Sequence, residues 1–287
     1  MRDDPERRTT RAAHPNTTRG SDRARDPGCT RSSPSARSRA RALGASGALA
    51  ATALALLVLA GSVSASAAPG AGVTVVAPYS GTAVHSESHS ALGCASASAP
   101  NAPRFVLKTG VATMTEQGTA TTCAKDNGTS LASADGTAGL SFVEPWNVST
   151  GNGSNGSSSA LVAHWTIDWT SSVTVSGNGT LRYALADTLV GLRITVVDLT
   201  ANRTVGTASW YHDVQFNLTH GSQYRNVSRQ VALALNAKLL SGHLYEITTE
   251  ISGIVTTEVQ GSGARTVTTT LNLATLGDRG VLESIDL

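Results

Sequence analysis

Residues 244–273, LYEITTEISGIVTTEVQGSGARTVTTTLNL, decide the fold class. Apolar and polar side chains alternate along this stretch, most clearly over residues 267–273. A period of two residues rather than 3.6 is typical of a half-buried β-strand. Valine and threonine are frequent here, and their branched side chains suit a pleated sheet. The stretch therefore predicts strands, not helices.

The same alternation extends outward over residues 180–185 and 192–196. Turn signals recur about every eight to twelve residues, as in β-sandwiches, at 177–179, 200–203, 241–242, 261–263 and 277–278. The signals at 200–203 and 261–263 predict two hairpins. Residues 230–240 are predicted as a strand, with a short helix as the alternative. The chain is thus predicted to be all-β, an antiparallel β-sandwich of jelly-roll or Ig-like topology.

The charge is divided unevenly along the chain. Of 22 Lys and Arg and 20 Asp and Glu, residues 1–41 hold 11 Arg and 5 acids, a net charge of +6. The remaining 11 basic and 15 acidic residues give −4 for residues 42–287. Because the folded part is mildly acidic, the sequence excludes nucleic-acid binding through a basic surface.

An uncharged stretch follows Arg41, with its apolar centre at residues 48–60 and the small residues Ala65-Ser66-Ala67 behind it. An Arg-rich flank, a short apolar core and an A-x-A site are typical of a secretory signal. We therefore expect a disordered basic tail (1–41) and a hydrophobic helix (42–67) that is a cleaved signal peptide or an uncleaved anchor. The rest is predicted to be exported by the general secretory route, to the cell surface or outside the cell, with membrane contact only through 42–67.

We expect residues 68–287 to form a single β-sandwich domain with a flexible polar loop at 147–159. The alternative is two units, 72–146 and 160–287, joined by that loop.

Two further features agree with export. The exported part holds two cysteines, Cys94 and Cys123, which predict one disulfide in an oxidising compartment. N-x-S/T sequons predict N-glycosylation at Asn127, Asn147, Asn152, Asn155, Asn178, Asn202, Asn217 and Asn226.

Few side chains suggest a ligand site. His85, Glu87 and His89 would share one face of a strand, but the two histidine Cα atoms would lie about 13 Å apart. This segment is only a weak metal candidate, and we expect no metal and no cofactor. The apolar neighbours of Trp165 and Trp169 indicate core positions. Candidates for exposed aromatic stacking on a ligand are Trp146, Trp210 and Tyr211.

The sequence contains none of the common hydrolase or phosphate-binding motifs. We therefore expect a structural or adhesive glycoprotein of the cell surface or envelope, not an enzyme. Its expected partners are envelope components, glycans or copies of itself. The main alternative is a carbohydrate- or ligand-binding module with exposed aromatic rings on one sheet face. A hydrolase with converging carboxylates or a His/Asp pair, or a filament subunit with an unpaired edge strand, is a further alternative.

Overall fold

The computed structural model describes residues 74–122, 128–146, 158–217, 219–274 and 277–287. Every regular element in these ranges is a β-strand. The strands are β1 (Thr74–Val76), β2 (Thr82–Leu92), β3 (Ala95–Val106), β4 (Val111–Thr121), β5 (Thr129–Trp146), β6 (Ser158–Asp198), β7 (Arg203–Phe216), β8 (Gly221–Lys238), β9 (His243–Asn272) and β10 (Arg279–Asp286).

The strands pair antiparallel throughout and fold into two packed layers. The first layer runs in the order β2-β5-β9-β6-β7, and uses the early half of β9 and the late half of β6. The second layer contains β3, β4, the late half of β9, the early half of β6 and β8, with β10 between β4 and β6 and with β1 beside β10. The predicted all-β, sandwich-like class is therefore confirmed. The predicted tail and signal helix lie outside the described residues.

Strands β6 and β9 pass together from one layer to the other. Their pairing continues without a break through Gly177–Arg265, Asn178–Ala264 and Gly179–Gly263. The predicted hairpin at 261–263 is therefore wrong, and the glycines at 177–179 do not form a turn either. Both Gly-x-Gly segments bend a continuous strand at the same corner. The predicted turn at 200–203 is confirmed, because Asp198 pairs with Arg203 across it.

The core lies between the layers. It includes Trp165 and Trp169, each 1% exposed, as the alternation predicted. Trp165 Nε1 donates a hydrogen bond to Thr249 Oγ1 of the opposite layer at 3.1 Å. A fully buried side chain such as Leu192 or Ile251 contributes about 1.5–3 kcal/mol to folding. The packed apolar faces thus hold the two layers together.

One cluster of buried side chains contains residues from both 74–146 and 160–287, among them Leu140 and Trp165. The predicted domain limits at 41 and 67, and most of the loop at 147–159, lie outside the described residues. The single-domain assignment remains a prediction. Residues 230–238 continue strand β8, as the alternation predicted. In the part of the chain that the structure covers, no helix is long and apolar enough to cross a membrane.

Candidate binding surfaces

The predicted stacking residues differ in their surroundings. Trp146 ends β5 and is only 7% exposed, so its assignment as an exposed stacking residue is wrong. The strand continues past Pro145 and carries the ring into the core instead of leaving it at a loop edge. Trp210 points inward, packs against the core and stacks on His212 with ring centroids 6.1 Å apart. Tyr211 points outward and is 60% exposed.

The weak metal candidate does not form a metal cluster. His85, Glu87 and His89 share the face of β2 that points toward the other layer, because they pair with Ala138, Gly136 and Ala134. In the described ranges, no three His, Cys, Asp or Glu side chains lie close enough to hold an ion. What lies opposite this face is Glu116 of β4, which the sequence analysis missed.

Glu116 is a fully buried carboxyl group. Its Oε2 atom lies 3.8 Å from His89 Nε2, and among the described atoms neither carboxyl oxygen has a hydrogen-bond partner. Burial and the nearby charges of Asp135 and Glu87 raise the pKa of Glu116 to about 8. A Cβ atom at Gly136 would overlap Glu116 Oε1, so this carboxyl group needs a glycine opposite it. The group is enclosed between the layers, where a large ligand has no access to it.

The structure describes only some of the cysteines and sequon residues on which the prediction of export rests. Cys94 is disulfide-bonded, but its predicted partner Cys123 lies outside the described residues, so the pairing remains a prediction. Four of the sequon residues are likewise not described: Asn127, Asn147, Asn152 and Asn155. The other four are all exposed, as a glycan acceptor must be: Asn178, Asn202, Asn217 and Asn226. Their glycosylation remains a prediction.

Two histidines form pairs with carboxylates. His243 Nδ1 lies 2.8 Å from the buried Asp198, which also accepts a hydrogen bond from the Ala201 amide and so closes the β6–β7 turn. His164 Nε2 lies 3.0 Å from Asp286 on the neighbouring strand β10. Both pairs join strands or turns, which gives them a structural role.

Where β3, β4, late β9, β6 and β8 lie side by side, the outward side of the second layer is a continuous surface of uncharged polar side chains, which we call the hydroxyl face. Strand register places its members side by side on five neighbouring strands. In strand order they are Ser96, Ser98 and Asn101; Thr115, Gln117, Thr119 and Thr121; Asn272, Thr270, Thr268 and Thr266; Thr170, Ser172, Thr174 and Ser176; and Asn226, Tyr224 and Ser222. No residue of this set carries a charge. The charged Arg104, Asp168 and Asp278 lie at its margins, and the outward side of the layer becomes charged toward β10, where Asp168 pairs with Arg279.

Hydrogen bonds between neighbouring strands order the hydroxyl face. Thr119 and Thr268 share one at 3.2 Å, and Thr121 and Thr266 share one at 2.9 Å. Further bonds join Asn101 to Thr115, Thr115 to Asn272, Gln117 to Thr270, Thr170 to Asn226 and Ser222 to Thr174. A hydroxyl group has one donor and two acceptor positions, so a paired threonine keeps capacity for a ligand. The face therefore presents oriented, uncharged hydrogen-bonding groups.

Tyr224 supplies an exposed ring at the β8 side of the hydroxyl face. It is 75% exposed and pairs in register with Ser172. Sequence reasoning passed over it, because only the strand order shows which hydroxyl residues surround it.

The outward side of the first layer has the opposite chemistry, and we call it the carboxylate face. Strand register brings to it the acidic side chains of Asp135, Asp187, Asp213, Glu246, Glu250 and Glu258. Arg193 forms an ion pair with Glu250 on this face. The hydroxyl face and the carboxylate face thus lie on opposite sides of one sandwich and differ in charge.

No protein-family model matches the chain, and no curated protein matches it. Among solved structures, the chain is similar to a family 11 carbohydrate-binding module from Clostridium thermocellum, solved in complex with a β-1,3-1,4-mixed-linked tetrasaccharide. The identity is 12%, and the similarity covers 68% of this chain and 98% of that one, with a TM-score of 0.16. That TM-score is too low to assign a shared topology.

Proposed function

We propose that the protein is an exported β-sandwich glycoprotein of the cell surface or envelope with an adhesive role, and that its hydroxyl face binds neutral polysaccharide. The observation that carries this proposal is the uncharged, hydrogen-bonded hydroxyl face with Tyr224 at its side. The adhesive role is non-catalytic.

The chemistry of the face suits a neutral sugar polymer. Sugar hydroxyl groups both donate and accept hydrogen bonds, as do the threonine, serine, asparagine and glutamine side chains of this surface. Charged groups would have to lose water without finding an opposite charge on a neutral glycan. Their exclusion from the hydroxyl face removes that cost.

The size of the face suits several sugar rings in a row. Five strands at about 4.8 Å spacing, with outward positions about 6.7 Å apart, four on each of the three central strands and three on each outer strand, give a surface about 20 Å in each direction at its centre. The cross-strand hydrogen bonds hold the side chains in place before binding, which lowers the entropy lost on binding. Tyr224 adds an exposed aromatic ring on which a sugar ring can stack.

Export is proposed from the signal-like residues 42–67 and from the exposure of the described sequon residues. The Thr170 hydroxyl donates to Asn226 Oδ1 at 3.0 Å, so Asn226 is itself part of the hydroxyl face. A glycan attached to Asn226 would stand at the edge of the proposed binding surface.

Sedimentation with cellulose, chitin or β-1,3-glucan tests the proposal. We expect the full chain to sediment with at least one of them, and the Tyr224→Ala variant to bind about two- to tenfold more weakly, because stacking contributes about 0.5–1.5 kcal/mol. Tyr211→Ala is the matched control, since Tyr211 is also exposed but lies on the carboxylate face. The control variant should bind like the unchanged protein.

A second pair of variants tests the need for an uncharged surface. Thr268 and Thr256 both lie on β9 and are half-buried, but Thr268 points to the hydroxyl face and Thr256 to the carboxylate face. Thr268→Lys should weaken binding and Thr256→Lys should not. Equal binding by the two lysine variants, or no binding to any of the three polysaccharides, would contradict the proposal.

A further inference from the structure

A cleft opens at one side of the sandwich, between the edge strands of the two layers. We call it the edge cleft. Its volume is about 540 Å³. It is lined by His212, Asp213, Val214 and Gln215 of β7 and by Arg225, Asn226, Val227, Ser228 and Arg229 of β8.

The positive charge of the edge cleft comes from two arginines. Arg225 and Arg229 pair in register with Ser171 and Ile167, whose side chains point into the sandwich. Both arginines therefore lie on the side of β8 that faces the cleft. Among the residues that the structure describes, neither guanidinium group forms an ion pair with a carboxylate. Arg229 Nη1 donates only to the Ser228 carbonyl oxygen, at 2.8 Å.

His212 adds a polar group without adding charge. Its ring stacks on Trp210 and meets Trp169 edge-on, with centroids 5.3 Å apart in the second pair. Burial and the nearby Arg229 lower the pKa of His212, whereas Asp213 acts in the opposite direction. A neutral imidazole ring can donate one hydrogen bond and accept another.

The acidic group of the cleft is partly neutralised. Asp213 Oδ2 accepts a hydrogen bond from Gln215 Nε2 at 2.9 Å. Burial, together with the hydrogen bond and the charge of Asp213, raises the pKa of Asp187 to about 7. Below that pH Asp187 keeps its proton and is neutral, so that the two positive charges on Arg225 and Arg229 predominate.

We propose that the edge cleft is a second binding site, in which the guanidinium groups of Arg225 and Arg229 bind the carboxylate or phosphate oxygens of an anionic glycan. A guanidinium group binds either oxyanion through two parallel N–H···O bonds. The arginine Cα atoms lie about 13 Å apart along β8, a distance that suits successive charges on a polymer better than a single small anion. This site lies on the opposite side of β8 from Tyr224 and does not depend on the proposed neutral-glycan binding.

Isothermal titration calorimetry of the full chain tests the site, with galacturonate oligomers and inorganic phosphate as the two probes. We expect galacturonate oligomers to bind, with an affinity that falls as salt rises. Arg225→Ala and Arg229→Ala should each weaken binding by at least about tenfold, which corresponds to about 1.4 kcal/mol, because each removes a charge-assisted pair of hydrogen bonds. If phosphate binds and the galacturonate oligomers do not, the edge cleft is still an anion-binding site, but its ligand carries phosphate groups instead of carboxylates.

Controls separate this site from other effects. Arg182→Ala removes an exposed arginine outside the cleft and should leave the affinity unchanged. Tyr224→Ala should also retain anion binding, so that failure of the neutral-glycan proposal does not affect this test. The melting temperature of each variant shows whether it folds.

The pH dependence provides an independent readout. Raising the pH from 6 to 8 removes the proton of Asp187, and the added negative charge next to Asp213 should weaken anion binding. Asp213→Asn should reduce that loss. The proposal is overturned if neither probe binds, or if folded Arg225→Ala and Arg229→Ala variants bind as tightly as the unchanged protein.

Discussion

Glu116 shows how a single buried group can make the stability of this fold depend on pH. Its carboxyl oxygens lie between Gly136 of β5 and His89 of β2, with Glu87 and Asp135 as the nearest acids. A charged carboxylate at this position would be buried without a hydrogen-bond partner, which is costly. The group therefore keeps its proton at neutral pH, consistent with its pKa of about 8.

We predict that the free energy of unfolding falls as the pH rises from about 4.5 to about 8. Glu116 holds its proton over this range in the folded state but loses it in the unfolded state, where its pKa returns to the ordinary value of 4.5. For one proton the slope is at most about 1.4 kcal/mol per pH unit. Urea unfolding at several pH values measures it.

Glu116→Gln should flatten this dependence, whereas Glu283→Gln, which changes an exposed carboxyl group, should leave it in place. If Glu116→Gln shows the same pH dependence as the unchanged protein, the titrating group is not Glu116.

At the residue scale, local alternation identified buried and exposed positions only inside a regular strand. It predicted the burial of Trp165 and Trp169 correctly, because their apolar neighbours share one face. The prediction failed for Trp146, which is at the end of β5 but points into the core. It also gave no sign of Glu116, since only strand order brings β4 opposite β2 and β5.

At the element scale, the corner in β6 and β9 decides how one hydrogen-bonded sheet becomes two layers. Gly179 and Gly263 pair with each other there, and Gly263 has a φ of +91°, a left-handed conformation that other residues rarely adopt. A Cβ atom at residue 263 would lie 2.7 Å from the Gly179 Cα atom. Two glycines therefore allow the two backbones to approach closely while both strands bend.

We predict that Gly263→Ala lowers the free energy of unfolding by roughly 1–3 kcal/mol, because it adds both backbone strain and a close contact. Ser262→Ala is the control, since Ser262 is exposed at the same corner. Chemical denaturation of both variants measures the difference. Equal stability of the two would show that the corner tolerates a side chain at residue 263.

The sequence predicted the strands better than their connections. Gly-Ser-Gly at 261–263 has the composition of a tight turn, and nothing within that segment distinguishes a turn from a bend in a longer strand. The difference depends on pairing with residues 177–179, more than 80 positions earlier, which no local pattern contains. By contrast, the turn at 200–203 was predictable because Asn202 can adopt the left-handed conformation it shows, with a φ of +48°.

At the scale of the whole molecule, the two layers place different chemistry on opposite sides. The sequence showed many threonines in alternation, but not that those of β4, β6 and β9 would form one surface while the acids of β5, β6, β7 and β9 would form another. That segregation depends on strand order and register. The neutral side is the surface to which we assign polysaccharide binding, and the edge cleft lies at one lateral opening between the layers.

Hydroxyl-radical footprinting with a soluble neutral β-glucan tests this assignment most directly, because Tyr224 and Tyr211 are exposed rings on opposite faces of the same molecule. If the hydroxyl face binds the glucan, the oxidation of Tyr224 falls on addition of the glucan, while that of Tyr211 stays unchanged. Protection of Tyr211 with Tyr224 still reactive, or equal oxidation of both rings with and without the glucan, would contradict the account.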